Sequence, residues 1–212
     1  MFEQVATALL KGEFICASTA PNAFGWLAAP DSASEVSAYL SKIGRRLSKT
    51  PNGLAHYATW ESVGSDQRLE VKRVFAAIKQ NVRPVIHFLT FCMEAEKRDS
   101  APAAGDRLEF ALLLKAVTEN SHLYEMLREF GLMGKEFTVS DASPNGMLRK
   151  VVQQLEKWGY LILINREQES YRFTGKLDYY YQVMDFLLEN EGDIATDAAA
   201  DSEEAQGIQG QL

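Results

Sequence analysis

A chain of 212 residues, 46% hydrophobic and 24% charged, has an ordinary globular composition and can bury roughly 70% of its unfolded surface, as one large core or two small ones. No apolar run approaches the roughly 18 residues of a membrane span, and the opening MFEQVATALLKGEFICAS has no cationic start and is cut by Lys11, Gly12 and Glu13, which argues against a secretory signal. The net charge of −7 disfavours nucleic acid only at first sight: five of the 29 acids (Asp193, Asp197, Asp201, Glu203, Glu204) lie in a tail without Lys or Arg, leaving 24 against 22 bases in the body, which can still present a local basic field.

In chain order, Phe2 to Leu10 predicts a short helix ending near Gly12. Glu13 to Trp26 is mixed, with Pro21-Asn22 as a turn. Asp31-Ser32 can cap a second helix, with Glu35 in the capping-box position of Ser32. Val36, Tyr39, Leu40, Ile43 and Leu47 give that helix its buried face. Pro51-Asn52-Gly53 is a turn between Arg46–Lys49 and the strand-like Leu54–Trp60. A long helical pattern follows from Ser65 to about Lys97, in which Pro84 predicts a kink or break at Arg83. RDSAPAAG, residues 98–105, reads as a hinge loop, Leu108–Val117 and Leu123–Phe130 as helices, and Thr138-Val139 as a short strand.

The clearest local signal is SPNGMLRKVVQQLEKWGYLILINREQESYRF, residues 143–173. Ser143 caps and Pro144 opens a helix. Met147, Leu148, Val151, Val152, Leu155 and Trp158 form its apolar stripe, and Gly159 stops it. Leu161–Ile164, a polar tip over Asn165–Glu169, and Tyr171-Arg172-Phe173 then read as a hairpin. A helix whose stop glycine feeds a two-stranded ribbon is the second half of a winged helix. The earlier segment repeats the plan, since Val36, Leu40, Ile43 and Gly44 share the spacing of Val151, Leu155, Trp158 and Gly159.

The expected fold is therefore mainly α with small β-hairpins (α+β): tandem winged-helix domains joined by a long helical connector. The expected boundaries are residues 1–63, a connector over 64–105, a second domain with the last helix over 106–192, and an acidic disordered tail over 193–212. The last helix, KLDYYYQVMDFLLE, is apolar on more than one side. A second stripe of Tyr179, Val183 and Phe186 must be covered either by a larger internal core or by a partner subunit.

No chemistry-bearing motif is present in the sequence. His56, His87 and His122 lack metal-ligand spacing, and His87 within an apolar helix reads as a hydrogen-bonded core or boundary residue. There is no phosphate-binding loop, nucleophile elbow or kinase signature. Cys16 and Cys92 read as small buried hydrophobes in a reducing, cytoplasmic compartment. No catalytic residue, metal or cofactor is expected, and the protein is read as not an enzyme.

The basic residues offer a different role. Arg149, Lys150, Gln153 and Lys157 lie on the exposed side of the second unit's helix, where they suit contact with DNA or form an ordinary solvated face. Arg166 and Arg172 on the hairpin, with Lys176 just after it, suit phosphates, although Glu167 and Glu169 share the tip. Lys42, Arg45, Arg46 and Lys49 make a denser cluster in the first unit.

This layout resembles the kleisin-interacting tandem winged-helix proteins. LLKGEFIC, Ile43-Gly44-Arg45-Arg46-Leu47 and YRFTGKLDYYYQVMDFLLENEG are similar to the MukE/MksE branch of bacterial condensins and related plasmid-restricting systems. The resemblance spans roughly residues 1 to 192 and rests on organisation and diffuse similarity rather than a short motif. It implies a homodimer that binds a MukF/MksF-like kleisin and, through it, an SMC ATPase. It also implies sequence-independent contact with duplex DNA, no ATPase activity of its own, and a cytoplasmic, nucleoid-associated location. A stand-alone dimeric winged-helix transcription regulator is the competing expectation, and a structural adaptor without DNA contact is a third.

Overall fold

The computed structural model of this chain describes residues 1–189; the disorder expected over 193–212 falls outside the described residues. The chain divides into two compact units, Met1–Tyr179 and one beginning at Tyr180. The first unit contains two small three-stranded antiparallel sheets, each set among helices.

The first sheet region comprises α1 (Phe2–Leu10), β1 (Ile15–Cys16), α2 (Pro21–Leu27), α3 (Pro30–Ser41), β2 (Arg45–Lys49) and β3 (Ala55–Trp60). Pro21-Asn22 opens α2 where a turn was expected, because proline's fixed φ suits a first helical position. For the same reason α3 starts at Pro30 with Ala29 as N-cap, and the expected caps Asp31 and Ser32 lie inside the helix. The helix ends at Ser41, and Gly44 reverses the chain at φ +68°. Leu47, expected on the helix, belongs to β2, and Ile43 is 44% exposed. Val5, Leu9, Ile15, Leu27, Val36 and Leu40 form the core beneath this sheet.

α4 (Ser65–Glu96) runs unbroken through Pro84, so the break expected at Arg83 does not occur. Pro84 is buried with Val85, Phe88, Leu89, Phe91 and Cys92, and this packing outweighs the missing amide. The loop expected to hinge is tied down. Arg98 donates to Asp106 at 2.6 Å, and Gly105 N–H donates to the Phe173 carbonyl.

The second sheet region comprises β4 (Arg107–Glu109), α5 (Phe110–Glu119), α6 (Ser121–Glu129), two short 3₁₀ turns, α7 (Pro144–Lys157), β5 (Leu161–Asn165) and β6 (Ser170–Phe173). Thr138-Val139 is not the third strand of the ribbon. β4 takes that place, pairing Arg107 with Arg172 and Leu108 with Tyr171. The strand orders, β1-β3-β2 and β4-β6-β5, are the same: a short leading strand on the hairpin's second strand. Phe88, Phe130, Phe137 and Trp158 form a chain of ring contacts that joins the end of α4 to α7.

The two sheet regions meet at Thr174-Gly175-Lys176, where β6 leads into α8 (Lys176–Glu189). The Gly175 N–H donates to Cys16 Sγ at 3.2 Å. A Cβ on Gly175 would sit 2.7 Å from the Cβ atoms of Cys16 and Ala55 and from the Leu54 carbonyl oxygen. Nearby, buried Asp178 accepts from the backbone N–H (3.2 Å) and side-chain amide of Asn52, and the Tyr179 ring packs on Phe14 and Tyr57. Gly175→Ala must therefore push apart two backbones. It is expected to destabilise the protein by about 1–3 kcal/mol, read from a denaturant midpoint; an unchanged midpoint would show that the seam yields freely.

Candidate nucleic-acid and subunit surfaces

α7 begins and ends as its sequence dictates. The Ser143 hydroxyl accepts from the Gly146 N–H at 3.1 Å, Pro144 holds the first helical position, and Gly159 leaves the helix at φ +80°. Leu148, Val151, Val152 and Leu155 are buried, which turns Gln153 and Lys157 outward, with Lys150 half-buried. At its C-terminus, the Lys176 ammonium donates to the Trp158 carbonyl at 2.6 Å, between the rings of Tyr160 and Phe14. Burial pulls the Lys176 pKa below the usual lysine range. Lys176 is thus a cap for the helix dipole, and the sequence expectation of a phosphate-facing lysine beside the hairpin is corrected.

The hairpin is fastened to α7 by charge. Arg149 makes a two-pronged pair with Glu169, donating from Nη1 to Oε1 and from Nη2 to Oε2, and lies 4.9 Å from the Phe110 ring centroid. Arg149 holds the Glu169 carboxyl below its usual range, and Glu169 raises the Arg149 pKa in return. Glu169 stands at φ +47°, a left-handed tip residue held by this pair. The signal for it was the acid–base mixture at the hairpin tip, but nothing local paired a helix arginine with a residue twenty positions away.

The remaining candidates are spread over several surfaces. Arg166 is exposed at the tip, while Arg172 lies on central β6 with a buried Nε that has no hydrogen-bond partner among the described residues. In the first sheet region, Lys42, Arg46 and Lys49 are exposed. Arg45 is enclosed: it lies 3.9 Å over the Trp60 ring and bonds Glu70 of α4 at 3.0 Å. Alternation along β2 turns Arg46 to the opposite face from Arg45 and Lys49, so these four bases do not share one surface. Among the interface candidates, Tyr179 packs on Phe14 and Tyr57, Val183 is buried, and Phe186 is 50% exposed.

Among the described residues no cluster of His, Cys, Asp or Glu could hold a metal, and no helix is long and apolar enough to cross a membrane. His87 bonds the Met126 carbonyl at 2.7 Å, as a boundary histidine should. Both cysteines are free and buried, and burial raises the Cys92 thiol well above its ordinary pKa, which makes it a poor nucleophile.

These features define a class, a mainly helical protein with two small sheets and its charged groups on outer surfaces. A family model, condensin complex protein MksE, matches residues 1–194, and the chain belongs to that family. It is accordingly a condensin complex component. Comparison with curated proteins gives no match.

His56, facing Lys49 across β2 and β3, provides a pH test. Burial, and secondarily the Lys49 charge, push its imidazole down to about 4 from 6.5. Above pH 6.5 it is neutral in both folded and unfolded chains and contributes no pH dependence. Between pH 6.5 and 4 the unfolded chain binds a proton that the native state does not, so stability declines as pH falls, by up to about 1.4 kcal/mol per unit. The decline levels off below 4. His56→Gln should flatten this portion of the stability curve measured by urea unfolding, and an unaltered curve would exclude His56 as its source.

Proposed function

We propose that this chain is a non-catalytic accessory subunit of an MksE-type condensin, built as two winged helices on a helical connector. The observation that carries the reading, beyond family membership, is the repeated strand order, each copy placing a helix, a left-handed stop glycine and a hairpin in succession. On this reading the domains are residues 1–63, the connector 64–105 and residues 106–192. The subunit dimerises, binds a MukF/MksF-like kleisin and acts through it with an SMC ATPase on the nucleoid, in chromosome organisation and segregation or in plasmid restriction. Phe186, 50% exposed, supplies apolar surface for that company, in one stripe with Tyr179 and Val183.

Duplex DNA is bound without sequence preference, through Lys150, Gln153, Lys157, Arg166 and Arg172 in the second unit and Lys42, Arg46 and Lys49 in the first. Arg149 and Arg45 hold these surfaces in shape through Glu169 and Glu70. A base-reading transcription regulator would need Arg149 as its bidentate reader, and that guanidinium is already occupied, which favours the non-specific reading.

Fluorescence anisotropy with unrelated 30-base-pair duplexes tests this. Affinities should agree within about threefold and fall steeply as salt rises, whereas a preference of about 10³ for one sequence would indicate a regulator. Co-purification with a co-expressed MukF/MksF-like kleisin should survive Phe186→Ser less well than wild type. Equal recovery would remove Phe186 from the interface.

A further inference from the structure

The apolar stripe of α4 is covered over only part of its length. Every buried residue of this helix lies at or beyond Pro84. At about 100° per residue, Val71, Val74, Phe75 and Ile78 fall within about 100° of arc. The same sector runs on to Val85 and Leu89, which are buried. In the first half it is uncovered: Val74 and Phe75 are 49% and 44% exposed, and Val71 and Ile78 are half-buried. Arg68, Lys79 and Arg83 line one border of the sector, exposed and without an ion pair among the described residues. On the other border, Glu70 is bonded to Arg45 at 3.0 Å.

An apolar strip with one basic border discriminates between partners. A duplex would meet the bases but leave Val74 and Phe75 against phosphates, with no apolar area removed from water. A second copy would bring its own bases beside these if antiparallel, and a Glu70 already engaged by Arg45 if parallel. The area argues the same way. Residues 65–83, at about 1.5 Å each and about 10 Å across, make a strip about 28 Å long that presents about 300 Å², short of the roughly 800 Å² per partner in a stable association. A segment of a protein already held elsewhere on the chain escapes that limit, because tethering raises its local concentration. The four-three spacing of Val71, Phe75 and Ile78, continued by Val85 and Leu89, is the seam of a helix pair. We propose that the first half of α4 docks one amphipathic helix of the partner protein. Its apolar stripe covers Val71, Val74, Phe75 and Ile78, and Asp or Glu residues beside that stripe meet Arg68, Lys79 and Arg83. This rests on the reading above that the chain binds a kleisin, which supplies the helix.

The experiment is biolayer interferometry of the full-length chain with a purified MukF/MksF-like kleisin. Val74→Ser/Phe75→Ser should lower the affinity by about tenfold with an unchanged unfolding midpoint, since both side chains already meet water. Arg68→Glu/Lys79→Glu/Arg83→Glu should lower it by a similar factor at low salt and by less at about 0.5 M salt, where the charges are screened. A photo-reactive benzophenone side chain at position 75 should crosslink to a kleisin segment whose apolar residues recur three and four apart beside Asp or Glu. Wild-type affinity in both variants overturns the α4 surface and leaves kleisin binding standing. No kleisin binding by the wild-type chain overturns both. A crosslink to a segment without acids, or to a second copy, refutes the proposal, as does a Val74→Ser/Phe75→Ser variant that keeps the kleisin but loses duplex DNA or its dimer.

Discussion

The arrangement of this protein depends on a close approach at Gly175, where one sheet region's backbone rests against the other without room for a single methyl group. Hydrogen bonds at that seam reinforce the fit: Gly175 to Cys16, Asn52 to Asp178, and Ser18 to the Phe173 carbonyl. Close packing of this kind transmits displacement, because interiors at crystal-like density have no slack to absorb it. The sheet regions are therefore held in register by van der Waals exclusion as much as by attraction, and the surfaces they carry keep a fixed spacing.

A second layer of organisation is electrostatic. Several bases that would present themselves to solvent in an unfolded chain are engaged inside the protein: Arg149 with Glu169, Arg45 with Glu70 and Trp60, and Lys176 with the end of α7. Each joins an element to a neighbour distant in sequence. Most of the other bases stay outward, among them Lys157 on α7, Arg166 at the hairpin tip, and Arg46 and Lys49 on β2.

Much of this was legible in the sequence wherever the cause is local. Ser143-Pro144, Gly159 and the alternation around Tyr171 each act within a few residues, and α7, β5 and β6 formed as expected. What escaped was non-local. β1 and β4 are two and three residues long and exist only because a hairpin strand pairs with them. Pro84 reads locally as a breaker, yet burial of Phe88, Phe91 and their neighbours carries the helix past it. The pairing of Arg149 with Glu169 was illegible for the same reason, since charge sign shows in a sequence but partnership across a turn does not.

The cap on α7 has a further implication. The Lys176 ammonium is held against the Trp158 carbonyl between two aromatic rings, a setting that mobile ions penetrate poorly. The outward bases stand in open water and feel every change of ionic strength. Electrolyte can therefore screen the outward bases while leaving the tilt of α7 untouched, so the scaffold need not be rebuilt when ionic strength changes.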